Sequence, residues 1–114
     1  MLPKSLRIPR RVISDVLRKG RRHAHPHVTL VLLPNNETVS RFACIISAKA
    51  EPQAVRRNRM RRVIYETIRM HIDEIKKGLH VIFVLKKSAF SLQKDDLPRI
   101  VLEALSIIES RIKN

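Results

Sequence analysis

The chain has 114 residues and a mass of 13.3 kDa, enough for one hydrophobic core and too little for two ordinary ones. Its 44% apolar and 30% charged residues, with two Gly and six Pro, are globular values that exclude a low-complexity chain. The balance of 24 Lys and Arg against 10 Asp and Glu leaves a net charge of +14, well beyond what solubility asks for, and makes an anionic partner the first expectation.

A single cysteine, Cys44, cannot form an internal disulfide, and no apolar run approaches the ~18 residues of a membrane span. No basic-then-apolar signal opens the sequence. An intracellular, cytoplasmic setting is therefore expected, with no membrane partner.

Val12, Ile13, Val16 and Leu17 repeat at helical spacing between Pro9 and Gly20, which predicts a short helix over 9–19. Arg21 to His27 is a polar run. Val28 to Leu33 is a short apolar, β-branched stretch stopped by Pro34-Asn35-Asn36, and Thr38 to Ser47 is expected to return beside it as an antiparallel hairpin partner. Ala54 to Lys77 contains neither Pro nor Gly and carries Met60, Ile64, Ile68, Ile72 and Ile75, so a long helix is predicted up to Gly78. Leu79 to Leu85, interrupted only by His80, has the pattern of a central strand covered on both faces. Leu97, Ile100, Val101, Ala104, Leu105, Ile108 and Ile112 form an amphipathic closing helix with Asp95 or Asp96 as N-cap. The order α-β-β-α-β-α describes one α+β domain over 1–114, a two-layer sandwich in which helices cover a small sheet.

Charge is unevenly placed. Residues 91–114 hold four bases and four acids, whereas 1–27 hold eight bases against Asp15 and 41–62 hold seven against Glu51. Two concentrated basic blocks beside a neutral tail mark a binding surface, for which nucleic acid is the leading partner over an acidic protein or a membrane surface. Arg56, Arg57, Arg59, Arg61 and Arg62 crowd the beginning of the long helix, the positive end of its dipole, where arginines destabilise. Sequence and local stability conflict there, as expected at a functional site, and phosphate is the expected counter-charge. Ile64, Ile68 and Ile75 mark the core side of this helix; Asn58, Arg59, Arg62 and Arg69 lie opposite. Arg57 and Arg61 fall on the core side of the wheel and leave their direction open.

The stretch Gln53-Ala54-Val55-Arg56-Arg57-Asn58-Arg59-Met60-Arg61-Arg62-Val63-Ile64 resembles the signature of the bacterial ribonuclease P protein subunit, and the resemblance extends over nearly the whole chain. It implies a mixed sheet with a left-handed β-α-β crossover through the long helix. It also implies that Arg57, Asn58, Arg59, Arg61 and Arg62 contact a catalytic RNA, with Arg56 and Arg69 on the same helix, Lys49 ahead of it, and Arg10 and Arg11 on a basic N-terminal arm. The implied partners are the ribonuclease P RNA and precursor tRNA, whose 5′ leader the holoenzyme removes, without an obligate protein partner. Magnesium is expected to be held mainly by the RNA subunit and substrate, with none held by the protein alone, and no catalytic residue is expected on the polypeptide.

Two departures from the family pattern stand out. Where Ser-Lys-Lys and a Gly are common before the helix, this chain reads Ala48-Lys49-Ala50-Glu51-Pro52, which loses a base and adds an acid. The expected leader-cleft positions, Ile13, Leu17, Val28 and Val31, are aliphatic rather than aromatic, which weakens base stacking.

Other chemistry is thinner. His23, His25 and His27 alternate and would share a face in an extended chain, a conceivable transition-metal site, although Pro26 and the flanking arginines favour a solvated basic loop. His71 and His80 are isolated, and neither the carboxylate clusters nor the His–Lys spacing of a protein nuclease is present. Cys44, among apolar residues, is expected to be a buried, inert thiol. The alternative to a ribozyme subunit is a generic rRNA- or DNA-binding module.

Overall fold

A computed structural model describes residues 2–92 and 96–112, the last four as backbone. The elements are α1 (Arg10–Lys19), β1 (Arg21–Ala24), β2 (Val28–Pro34), β3 (Arg41–Ile45), α2 (Ala54–Met70), β4 (Leu79–Leu85) and α3 (Asp96–Ile112), joined in part by short 3-10 turns. Asp95, one of the two expected caps of α3, lies outside the described residues.

The four strands form one mixed sheet in the order β1-β2-β4-β3. β4 is central, as its unbroken apolar pattern requires, and is antiparallel to β2 and parallel to β3. The parallel pairing makes β3–α2–β4 the crossover through the long helix.

The sheet corrects two expectations. β3 is not a hairpin partner of β2, because β4, apolar on both faces, is buried most fully by inserting between them. The polar run at Arg21 also contributes a strand, with Arg22 opposite Val31 and Ala24 opposite Thr29. An edge strand facing water carries no apolar signal, and its charges blunt the edge.

Alternation along the strands divides the core. Val28, Leu30, Leu32, Phe42, Cys44, Val81, Phe83 and Leu85 face α2 and α3 and pack with Ile64, Ile68, Val101 and Ile108. On the other face α1 covers Val31, Ala43 and Ile82 with Val16, an addition to the two-layer plan. Gly20 permits this close approach, since a Cβ there would sit 2.5 Å from Val31 Cγ1 and 2.6 Å from the Val16 carbonyl oxygen.

α2 stops at Met70, short of the expected Lys77. The His71 N–H turns back to the Ile68 carbonyl and a 3-10 turn at Ile72–Glu74 lowers Ile75 into the core; the Gly78 that follows, at φ 87°, turns the chain into β4. No described helix is long and apolar enough to cross a membrane.

Candidate nucleic-acid interface

α2 starts without a side-chain cap at Gln53 and without an acid in its first turn. Its arginines divide according to what they touch. Arg57 turns back and donates from Nη1 to the carbonyls of Glu51 at 2.8 Å and Pro52 at 2.9 Å, fastening the helix to its preceding loop. Arg56 Nη1 lies 2.8 Å from Glu51 Oε1, and its Nη2 donates to the Phe90 carbonyl at 3.2 Å. The Glu51 side chain is only 7% exposed, so Arg56 has a buried carboxylate as counter-charge within the chain. The acid that departs from the family pattern thus has a structural task.

Arg61 donates to Asn58 Oδ1 at 2.9 Å and lies close enough to Cys44 and Tyr65 to act on both electrostatically. This places it beside β3, half-buried at the flank of the helix. Arg59 and Arg62 are exposed and, among the described residues, make no hydrogen bond or ion pair. With Val55, Glu66 and Arg69 they follow the 4-3-4-3 spacing of one helix stripe, in which Arg69 Nε donates to Glu66 at 2.7 Å. Lys49 is exposed in the turn closed by Ser47, upstream of α2. The outward face of the first half of α2 is therefore led by Arg59 and Arg62.

Arg10 and Arg11 are exposed on the first turn of α1, away from α2, and share a groove with Lys4, Arg7 and Arg41.

The four expected cleft residues do not share one surface. Ile13 and Leu17 are half-buried on α1. Val31 is on the same side but fully covered. Val28 is on the wrong face: strand alternation sends it towards α2 and α3. Leu33, Ile45 and Val84 are the half-buried sheet residues around α1. Leu33 could have been found by stepping two residues from Val31; Ile45 and Val84 required the strand pairing.

β1 ends at Ala24, so the three histidines do not share an extended face. His25 Nε2 lies 3.2 Å from Glu103 and His27 Nδ1 2.9 Å from Ser88 Oγ, securing the β1–β2 loop to the surroundings of α3. Among the described residues, no three His, Cys, Asp or Glu gather as metal ligands. Burial pushes the Cys44 thiol up to about 12, with Arg61 offsetting part of the effect, and Cys44 is thereby inert at neutral pH. His71 pairs with Glu74 at 2.7 Å.

The family model described as Ribonuclease P matches residues 2–109. The ribonuclease P protein component of a Pseudanabaena species is 31% identical over 110 residues, covering 91% of this chain and 95% of the relative. That of Nitrosomonas eutropha is 32% identical over 113 residues, covering 94% and 88%. Among solved structures, the RNase P protein of Staphylococcus aureus superposes with a TM-score of 0.81 at 22% identity over 93% of this chain and 96% of that one. The protein from Thermotoga maritima gives 0.80 at 20% identity over 90% and 96%. These likenesses establish the same α+β fold.

Proposed function

The chain belongs to the ribonuclease P protein family, whose members are components of a tRNA-processing endoribonuclease, and from that premise we propose how its surfaces divide the work. The outward stripe of α2, led by Arg59 and Arg62, binds the phosphates of the catalytic RNA, with Asn58, Arg61, Arg69 and Lys49 flanking it. Arg56 and Arg57 serve this interface from within by fixing the start of the helix. The half-buried aliphatic surface between α1 and the sheet receives the unpaired 5′ leader of precursor tRNA. The protein acts in the cytoplasm and contributes binding and orientation, which convert to rate by holding reactants in place. Cleavage itself belongs to the RNA subunit, with magnesium held there and by substrate phosphates.

One observation carries this reading: Arg59 and Arg62 stand exposed on one stripe of α2 with no hydrogen bond or ion pair among the described residues. Adding the purified chain to a bacterial ribonuclease P RNA is expected to lower the precursor tRNA and magnesium concentrations needed for 5′ cleavage, while the chain freed of RNA leaves the precursor intact. Failure to stimulate any bacterial ribonuclease P RNA would favour a generic RNA-binding module. Cleavage by the RNA-free chain would place the chemistry on the polypeptide.

A further inference from the structure

Four residues of the chain are aromatic. Phe42 and Phe83 are buried in the core, and the Tyr65 hydroxyl accepts the Cys44 N–H. Phe90, the fourth, stands half-buried in the 3-10 turn Lys87–Ser91 between β4 and α3. With Ala89, Leu92 and Leu97 it forms one wall of a pocket of about 410 Å³; Met60 and Val63 of α2 form the other, and Arg56 and Arg59 complete the lining.

The two walls are braced. Arg56, held at Nη1 by the buried Glu51 carboxylate, donates from Nη2 to the Phe90 carbonyl at 3.2 Å and so ties the turn to α2. Within the turn, the Ala89 N–H donates to the Lys86 carbonyl at 3.0 Å and Ser91 Oγ to the Ser88 carbonyl at 2.8 Å. Ala89 and Leu97, 2% and 5% exposed, root the same wall in the core. A ligand would therefore find the pocket formed, with little ordering left to oppose binding, and the volume lies in the ~300–1,000 Å³ range of small-ligand sites.

The lining says what kind of ligand. Apart from the two guanidinium groups it is apolar, and no acid is present among the described lining residues. Arg56 is engaged within the chain, whereas Arg59 is exposed and, among the described residues, has no hydrogen bond or ion pair. Arg59 also belongs to the outward stripe of α2 with Arg62, so a strand held by that stripe passes the pocket. The fitting ligand is thus a flat, largely apolar body joined to an anion. In a duplex the base faces are covered by their neighbours, but a base turned out of a bulge or loop presents one face to an aromatic ring and carries its own phosphate. An aromatic side chain of a partner protein would fill the same space without bringing the phosphate that Arg59 calls for.

We propose that the pocket between α2 and the Lys87–Ser91 turn receives one unstacked base of the catalytic RNA, laid against Phe90, while Arg59 takes the adjoining phosphate. The proposal rests on the reading of α2 as the RNA-binding face and adds to it a site for a base beside the sites for phosphates.

The test uses the full chain and RNA duplexes that differ at one position: a single bulged adenosine, an abasic residue in the same bulge, or full pairing. The wild type is expected to bind the adenosine bulge about tenfold more tightly than the abasic one, the effect of stacking one base. Phe90→Ala, which removes the ring, and Val63→Trp, which fills the pocket from the other wall, are each checked for fold by circular dichroism. Both are expected to lose that preference while keeping the affinity and salt slope of the paired duplex. Arg59→Gln is expected to weaken both bulged RNAs alike, with about one unit less salt slope. Equal wild-type affinity for the adenosine and abasic bulges, or a preference that survives in either folded pocket variant, would overturn the base site while leaving the subunit reading intact if ribonuclease P RNA is still bound. Binding to neither the duplexes nor ribonuclease P RNA would bring down the subunit reading itself.

Discussion

Glu51 shows how one residue changes the meaning of its neighbours. Five arginines in seven positions are equivalent as a sequence, yet one is committed to a buried carboxylate and another to two backbone carbonyls. Arg59→Ala and Arg62→Ala are each expected to reduce the salt slope of RNA binding by about one. Arg56→Ala should leave that slope unchanged and lower stability instead, by less than the ~3–5 kcal/mol of a fully buried pair because Arg56 is half exposed; salt titrations and denaturant melts separate the effects. His80 gives a second prediction. Burial on β4 holds its imidazole below the ordinary 6.5, with Glu37 opposing this and Arg41 reinforcing it. The unfolded chain therefore takes up the proton more readily, and stability falls as pH drops through and below about 6.5. Replacing His80 by Leu should flatten that part of the stability–pH profile relative to wild type, as denaturant melts between pH 5 and 8 would show. An unaltered profile would remove His80 as its source.

At the scale of elements, the exposed side of β3 needs protection, since an edge strand presents unpaired backbone groups. The arm before α1 takes the Phe42 carbonyl, and Tyr65 of α2 takes the Cys44 N–H on its hydroxyl at 3.1 Å. Tyr65→Phe leaves that N–H without its partner and is expected to cost about 1–3 kcal/mol in denaturant melts, with the RNA salt slope retained. α2 is secured to the sheet through Ile64 and Ile68, 1% and 0% exposed. Ile64→Asp buries an unpaired carboxylate and should abolish the folded circular dichroism spectrum; a folded Ile64→Asp variant would contradict the helix phase on which the whole RNA-facing stripe depends.

For the whole molecule, the basic surfaces lie on the first half of α2 and around the start of α1, with half-buried aliphatic side chains of α1 and the sheet beside the second. Because Ile13, Leu17, Leu33, Ile45 and Val84 offer no aromatic plane on which to stack a base, stimulation of cleavage should vary little with leader base identity and increase with leader length. Kinetics on precursors that differ in leader composition at fixed length, then in length at fixed composition, would check this; strong base dependence would contradict the account of the cleft.

The sequence by itself determined the helical periods, the central place of Leu79–Leu85, the basic face opposite Ile64 and Ile68, and the family. Each is written in local spacing or in a contiguous motif. Tertiary structure decided what spacing cannot encode. β4 separates β2 from β3 because pairing order depends on which strand gains most from burial on both faces. Val28 leaves the cleft because strand alternation chooses a face only when the opposite layers are known. Glu51 neutralises Arg56 across a loop with no helical register between them, and Arg41 joins the N-terminal arginines only through the docking of the arm on β3. Charge acts through space, and the distances that govern it are set by the fold.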